Sequence, residues 1–180
     1  EEKNIISFVG GVGKTTSIYT LAKELSKLGK KVVVTTTTHM HMPEDFIDFK
    51  GNVNEIIERF KSENLITVGI KDRDGKFVGG GEKIAEKLIN LCDFLLIEAD
   101  GARMHPLKAP ANYEPVILKN TTMVVGVAGI DSLFKSINKI CHRPEQVCKV
   151  LSKNYNHKIN TKDIANILGS EEGQRKNVKD

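Results

Sequence analysis

A glycine-rich run near the start of the chain restricts its fold more than any other feature of the sequence. The run Gly10–Thr16 (GGVGKTT) follows the apolar segment Ile5–Val9 and precedes residues whose apolar side chains have helical spacing. Glycines let the backbone turn tightly and point its N–H groups at an anion, and a following helix adds the positive end of its dipole. A strand, a glycine-rich turn, a Lys-Thr pair and a helix in this order predict a phosphate-binding loop.

The predicted loop departs from the consensus pattern at two positions. Phe8 stands where the consensus has its first glycine, and Val9 stands where a group of dimeric accessory ATPases has a signature lysine. The alternative interpretation is a glycine-rich turn that binds nothing, but the strand and helix patterns on both sides favour phosphate binding. The residues predicted to bind the nucleotide are Gly10, Gly11, Val12, Gly13, Lys14, Thr15 and Thr16.

Length and composition predict a single globular domain, 1–180, in the cytoplasm. The chain has 180 residues, and its 39% hydrophobic and 28% charged content is ordinary for a globular protein. Basic residues are spread along the sequence despite a net charge of +4, so no nucleic-acid partner is expected. No apolar run is long enough for a membrane span. Cys92, Cys141 and Cys148 lack zinc-like spacing and suit a reducing cytosol.

Alternating apolar patterns predict an α/β fold. It is P-loop NTPase-like, with a mostly parallel sheet, helices on both faces and a small β-hairpin insertion at about residues 65–80. One helix is expected to begin with Pro144 and another to have Thr161 as its N-cap, and the polar end at 169–180 is expected to be loose. Strands are predicted at 4–9, 31–36, 93–98 and 122–128, and helices at 14–28, 54–60, 82–91, from 144 onwards and at 161–168.

Carboxylates and hydroxyls follow two of the predicted strands. Glu98 and Asp100 end an apolar strand, where a carboxylate is placed to hold magnesium and to orient an attacking water. The sequence gives no reason to prefer one of these two carboxylates for the role. The alternative interpretation of the segment is an ordinary strand-end turn. Ligands of parallel sheets bind at the carboxyl ends of strands, so the loop, Thr35–His39 and Glu98–Gly101 are expected to converge.

Further polar clusters are candidate contacts for a substrate or a partner. The alternating histidines and methionines of His39–Met42 suggest a soft-metal site, but a polar loop with buried methionines is the favoured interpretation. Cys141 is interpreted as an ordinary reduced cysteine in preference to a redox-active or selenium-handling thiol. The candidate substrate or partner contacts are Thr38, His39, Arg103, His105, Lys108 and Arg143, and the alternative for them is a solvated surface.

These motifs together resemble the selenium-dependent hydroxylase accessory protein family, also called YqeC-like. The resemblance runs from about residue 4 to about residue 170, and its most specific part is the Glu-Ala-Asp-Gly segment with the Pro-Leu-Lys-Ala-Pro loop. Gly11-Val12 departs from the Ala-Gly that members often have. The motifs are Ile6–Gly10 with Gly13–Thr16, Thr35–Met40, Glu98–Arg103, Pro106–Pro110, Glu114–Ile117 and His142–Glu145.

The resemblance implies a nucleotide-binding protein that assists the maturation of selenium-dependent molybdenum hydroxylases. By the family pattern, Gly10, Gly13, Lys14 and Thr15 bind phosphate, and Glu98 and Asp100 form the acidic site. Family members usually continue past residue 180 into another strand, so the chain is expected to be truncated at its C-terminus. A preference for ATP or for GTP therefore stays open.

The leading hypothesis is a magnesium-dependent P-loop nucleoside triphosphatase that acts as an accessory factor. Lys14, Glu98 and Asp100 are the predicted catalytic residues, and Thr15 and Asp100 are the predicted magnesium ligands. Hydrolysis is expected to switch a loop at 37–45. The expected partners are a nucleoside triphosphate, ATP or GTP, and a client molybdenum hydroxylase, while a homodimer stays open. The alternatives are a small-molecule kinase that uses ATP and a nucleotide-binding module that does not hydrolyse.

Overall fold

A computed structural model describes residues 3–50 and 52–179, and these ranges fold into alternating strands and helices. The strands are β1 (Asn4–Gly10), β2 (Val32–Thr36), β3 (His39–His41), β4 (Phe46–Asp48), β5 (Leu65–Lys71), β6 (Lys76–Val78), β7 (Phe94–Glu98), β8 (Leu107–Lys108), β9 (Met123–Val127) and β10 (Cys141–His142). The helices are α1 (Lys14–Lys27), α2 (Val53–Arg59), α3 (Gly81–Ile89), α4 (Ile137–Ile140), α5 (Pro144–Leu151) and α6 (Thr161–Gly169), with a 3-10 helix at Ile130–Ser132.

The chain divides into two compact units. Within the described ranges the first unit contains 3–7, 16–50, 52–98 and 118–124, and the second contains 8–15, 99–117 and 125–179. The expectation of a single domain stays a prediction. Among the described residues no helix is long and apolar enough to cross a membrane.

The main sheet is mixed and mostly parallel, as the alternating pattern predicts. Its strand order is β3-β6-β5-β2-β7-β1-β9, and β4 pairs with β5. Strand β2 is parallel to both β5 and β7, whereas β6 is antiparallel to β3 and β5. All five residues of β2 are buried, as expected for a β-branched strand covered on both faces. The α/β class is therefore confirmed, while the P-loop NTPase identity stays a prediction.

The predicted β-hairpin is present, but it is not an insertion beside the sheet. Strand β5 pairs with β6 in the hairpin and also lies parallel to β2, with Ile66 opposite Val33. Ile66 and Val68 belong to the apolar core of the first unit, and each is at most 1% exposed. Strand β5 is buried because it has paired strands on both sides, and the hairpin is therefore part of the main sheet.

The second unit has its own small sheet and apolar core. Strands β8 and β10 pair in parallel, with Leu107 opposite Cys141 and Lys108 opposite His142. Leu107, Ile137 and other apolar side chains of α4, α5 and α6 form a core cluster beneath this pair. The short strand β8 thereby fixes the backbone on either side of Lys108.

Two predictions near the C-terminus are wrong. The N-cap of α6 is Asn160 and not Thr161, because Asn160 and Asp163 form a reciprocal capping box. The described part of the end, 169–179, is not loose, because hydrogen bonds hold it to the backbone of residues 108–115. The side chain of Gln174 is buried and donates to the Lys108 carbonyl at 2.8 Å, and Asp180 lies outside the described residues. The helix that begins at Pro144 is as predicted.

Candidate phosphate-binding site

The glycine-rich turn connects the end of β1 to the start of α1, and two of its glycines have positive φ. Gly10 has a φ of +109° and Gly13 a φ of +106°, a region that side-chain-bearing residues rarely adopt. A Cβ atom on Gly10 would lie 2.2 Å from the Val127 carbonyl oxygen, and one on Gly11 would lie 2.0 Å from the Pro106 carbonyl oxygen. The turn therefore requires glycine for conformation at Gly10 and Gly13, and for space at Gly10 and Gly11.

Lys14 curls back over this turn and does not extend into solvent. Its side chain is 2% exposed, and its Nζ donates to the carbonyl oxygens of Gly10 at 2.7 Å and Gly11 at 3.1 Å. Nζ also lies 3.2 Å from Oδ1 of Asp100. Because the first N–H groups of α1 have no acceptor within the helix, Lys14 brings its charge to a helix end that already favours anions.

Asp100 is the centre of the charges beneath the loop. It is fully buried, and both of its carboxylate oxygens accept from the Gly10 N–H, at 3.0 and 3.1 Å. Its Oδ2 lies 3.0 Å from Nζ of Lys108, which is also fully buried. One carboxylate therefore serves two buried lysines and one loop amide, and so ties the Glu-Ala-Asp-Gly segment to the glycine-rich turn.

The charges continue from Lys108 to Glu114 and Arg143. Lys108 Nζ donates to Glu114 Oε2 at 2.8 Å and to the Gly101 carbonyl at 2.7 Å. Arg143 forms an ion pair with Glu114 and donates to the Tyr113 hydroxyl at 3.0 Å. Burial raises the pKa of Glu114, but the hydrogen bonds and charges of Lys108 and Arg143 outweigh it and hold the pKa below its usual value.

The five residues Lys14, Asp100, Lys108, Glu114 and Arg143 form a continuous charge network with three cations and two carboxylates. Uncompensated charge is costly when it is buried, and both lysines and both carboxylates are buried. The network therefore has one excess positive charge next to glycine-rich backbone and the start of a helix. An anion, and a phosphate group in particular, would balance that charge.

Two histidines lie beside the network. The rings of His105 and His142 stack with their centroids 5.9 Å apart, and the His105 carbonyl accepts from the Val12 N–H at 2.9 Å. Burial and the charges of Arg143, Lys108 and Arg103 lower the pKa of His142 to about 4. His142 is therefore neutral at neutral pH and adds no further positive charge to the site.

Comparison with known proteins identifies the family. The family model described as YqeC protein matches residues 6–145, which is more than half of the chain. The chain belongs to the YqeC family. It is also 31% identical to the uncharacterized protein YqeC of Escherichia coli K12 over 188 aligned positions, which cover 97% of this chain and 71% of that protein.

The charge network of this YqeC-family chain does not include four other predicted site residues, Thr15, Thr16, Thr38 and His39. Thr15 and Thr16 are exposed in the first turn of α1. In the first unit, Thr38 Oγ1 lies 3.2 Å from Thr36 Oγ1. His39 is exposed and its Nε2 lies 3.1 Å from Oδ2 of Asp72. Thr38 and His39 are thus placed by contacts within their own unit, and their proposed partner contacts stay predictions.

Glu98, the other predicted catalytic carboxylate, ends strand β7. The residue is buried, and its carbonyl oxygen accepts from the Thr36 hydroxyl at 2.8 Å and from the Thr37 N–H at 3.0 Å. These bonds join the ends of β2 and β7, which lie side by side in the sheet. The convergence of the threonine run with the acidic strand end is therefore present in the first unit.

The alternative of a reactive thiol at Cys141 gains no support from the structure of this YqeC-family chain. Cys141 is buried, and burial raises the pKa of its thiol to about 12, which disfavours the reactive thiolate. In 3–50 and 52–179, no three His, Cys, Asp or Glu side chains are close enough to hold a metal ion.

Sequence reasoning missed the role of Glu114. Its motif, Glu114–Ile117, entered the family resemblance without any assigned chemistry, yet Glu114 joins Lys108 to Arg143. A glutamate next to proline and apolar residues is the signal that could have indicated burial, because a buried carboxylate needs cationic partners. Glu114 and Arg143 are 29 residues apart in the sequence, so no local pattern indicates that they pair.

Glu114 is expected to make the stability of this YqeC-family protein depend on acid pH. Its folded-state pKa is lowered from 4.5, so its contribution is fully present above the unfolded value and is lost as pH falls through the folded value. We expect Glu114→Gln to lower the free energy of unfolding by roughly 1.5–3 kcal/mol at neutral pH, because a charged hydrogen-bond partner is lost.

Urea unfolding of both proteins from neutral pH to about pH 3 measures this effect, since protonated Glu114 resembles the Gln variant at the acid end. The difference between them should shrink with falling pH. Glu171→Gln, at an exposed position, is the matched control and should show no such trend. A difference that stayed constant at every pH would contradict the assignment.

Proposed function

We propose that this protein is a magnesium-dependent P-loop nucleoside triphosphatase that acts as an accessory protein in the maturation of a selenium-dependent molybdenum hydroxylase. The observation that carries the nucleotide part is the buried Lys14. It is the first residue of helix α1, and a glycine-rich turn joins it to the buried strand β1. The family resemblance carries the accessory part, and membership of the YqeC family agrees with it.

Phosphate binding at the turn uses two sources of positive charge. The first is the backbone N–H groups at the start of α1, which have no acceptor within the helix. The second is the excess positive charge of the charge network, to which Lys14 belongs. The carbonyl acceptors of Lys14 belong to the same turn. Lys14 exchanges its carbonyl acceptors for phosphate oxygens, which accept a lysine hydrogen bond more strongly because they are charged.

The proposed reaction is hydrolysis of the terminal phosphate. The oxygen of a water molecule bonds to the γ-phosphorus, and the bond from that phosphorus to the bridging oxygen breaks. The electron pair leaves with the nucleoside diphosphate, inorganic phosphate is released, and the water proton passes to the medium. Lys14 and the backbone amides at the start of α1 stabilise the charge of the transferring group, and Glu98 or Asp100 orients the water.

The oxygen donors near the turn suit magnesium, which would neutralise phosphate charge when bound. Thr15 carries a hydroxyl in the first turn of α1, whereas the buried Asp100 has both carboxylate oxygens on the Gly10 N–H and would have to exchange a present contact to reach magnesium. Asp100 is also the partner of two lysines, so its main task in the absence of nucleotide is to hold Lys14 in place.

The decisive experiment compares nucleotide binding and phosphate release by the wild type and by Lys14→Ala. We expect the wild type to bind magnesium-ATP or magnesium-GTP and Lys14→Ala to lose binding by at least about 100-fold, since a charge-assisted contact of about 3 kcal/mol is removed. Lys23→Ala removes an exposed lysine from the same helix and should bind as the wild type does. Titration calorimetry gives the affinities, and a phosphate-release assay gives the turnover.

The outcomes separate the hypotheses. Binding that depends on Lys14, together with phosphate release, supports the triphosphatase. Binding without release, even when the client hydroxylase is added, indicates a non-hydrolysing module. Phosphate that appears on a small acceptor and not in solution indicates a kinase. If the folded wild type binds neither nucleotide, the proposal is wrong.

A further inference from the structure

A strained turn lies directly against the glycine-rich loop. The His105 N–H donates to the Ala102 carbonyl at 2.9 Å and so closes a four-residue turn. Its two central residues, Arg103 and Met104, have φ of +47° and +64°. Two consecutive positive φ values are the signature of a type I′ turn, in which glycine, asparagine and aspartate are the favoured central residues.

Burial does not explain why arginine and methionine occupy these two positions. Arg103 is exposed, and the Met104 side chain is 83% exposed. Side-chain packing therefore does not offset the cost of the left-handed backbone. Strained backbone conformations that the surrounding structure holds in place occur preferentially at functional sites, so the turn is a candidate for function.

The turn is attached to the loop through the backbone. The His105 carbonyl accepts from the Val12 N–H at 2.9 Å, and the next carbonyl, of Pro106, accepts from Gly129 at 2.7 Å. Pro106 also lies so close to Gly11 that no Cβ atom would fit between them. Arg103 therefore lies two residues before His105, whose carbonyl is hydrogen-bonded directly to the backbone of the glycine-rich loop.

Arg103 differs from the other cations around the loop because its guanidinium has no hydrogen-bond or ion-pair partner among residues 3–50 and 52–179. Lys14, Lys108 and Arg143 each form an ion pair with a carboxylate. In the part of the chain that the structure describes, no hydrogen bond or ion pair engages the Arg103 guanidinium. Its charge nevertheless acts on the site, since it contributes to the lowered pKa of His142, whose ring stacks on His105.

We propose that Arg103 binds the terminal phosphate of a nucleotide held by the glycine-rich loop and so distinguishes a triphosphate from a diphosphate. The inference rests on the proposed function, because it needs a nucleotide at the loop. A guanidinium group presents a planar set of donors that matches phosphate oxygens and stays charged at any physiological pH. A triphosphate differs from a diphosphate by one charged phosphoryl group, which is the ligand that an unpaired arginine beside the loop suits.

The test is the ratio of two dissociation constants measured by titration calorimetry. The ligands are the magnesium complexes of a nucleoside diphosphate and of its non-hydrolysable triphosphate analogue, with whichever base the wild type binds. We expect Arg103→Ala to weaken triphosphate binding by about tenfold or more, as loss of a charge-assisted contact implies. Its diphosphate binding should change by less than about twofold, because that ligand lacks the contacted group.

Two further variants make the result specific. Arg103→Lys keeps the charge without the planar donor set, so it should recover part of the triphosphate preference. Arg73→Ala removes an arginine from the turn between β5 and β6, in the other compact unit, and should leave both constants unchanged. Because Arg103 is exposed, thermal unfolding of Arg103→Ala should match the wild type, which separates a binding effect from a folding effect.

Each outcome decides a different point. A selective loss of triphosphate binding supports the inference. Equal weakening of both ligands, or no change in either, overturns it while the proposed function stands. Absence of binding by the wild type overturns the proposed function, and this inference with it.

Discussion

Asp100→Asn is expected to lower the free energy of unfolding by about 3–5 kcal/mol, the range found when one partner of a buried ion pair is removed. The Asp100 carboxylate lies 3.2 Å from Lys14 Nζ and 3.0 Å from Lys108 Nζ, and all three side chains are at most 2% exposed. Asparagine keeps an oxygen for the Gly10 N–H but leaves two buried lysines without their shared negative charge. Urea denaturation followed by circular dichroism measures the loss.

A double-mutant cycle shows whether charge is the cause. Lys108→Met removes one of the stranded cations, so the double variant Asp100→Asn with Lys108→Met should be more stable than the sum of the single effects predicts. Asp45→Asn, at an exposed position, controls for the chemical change and should cost less than about 0.5 kcal/mol. If Asp100→Asn costs no more than this control, the charge network does not stabilise the fold as argued.

Gly10→Ala is the second change with a large expected effect. Its Cβ would lie 2.2 Å from the Val127 carbonyl oxygen, and the backbone φ is +109°. Left-handed strain of about 1–2 kcal/mol and overpacking of about 1–3 kcal/mol together predict a loss of roughly 2–5 kcal/mol in the free energy of unfolding. Because the backbone must move away from Val127, the loop amides are also displaced, and nucleotide binding should fall.

Gly169→Ala is the matched control for this substitution. It adds the same methyl group at a position where nothing lies within 4 Å and where φ is not positive. We expect unfolding and nucleotide binding of Gly169→Ala to match the wild type within experimental error. Retention of full stability and full nucleotide affinity by Gly10→Ala would show that the turn can relax without a change in function, and the requirement for glycine at residue 10 would be rejected.

The strands and helices around the loop were predictable from short stretches of sequence. The prediction of β2 at 31–36 compares with an observed Val32–Thr36, and the prediction of α1 at 14–28 compares with Lys14–Lys27. Both follow from side chains within a few residues of one another. A β-branched apolar run favours a buried strand, and apolar residues at helical spacing favour a helix with one buried face.

The errors lie where distant contacts decided the structure. Strand β5 (Leu65–Lys71) has a paired strand on each side because β2 lies next to it. No residue inside the hairpin indicates that neighbour. Residues near the C-terminus appeared loose because they are polar, yet Gln174 reaches the backbone of Lys108, 66 residues earlier. In both cases the partner that determines burial lies far away in the sequence.

The candidate site divides in the same way. The glycine-rich turn, Lys14 and the two acidic residues were proposed as a site from local residue types, because phosphate and magnesium chemistry requires glycine, lysine, hydroxyl and carboxylate groups in short spacing. The fold then decided which charges meet: Asp100 with two lysines, and Glu114 with Arg143. Local sequence specifies a residue's chemistry and its backbone preference, whereas the pairing of buried charges depends on long-range packing, which brings them together and removes them from water.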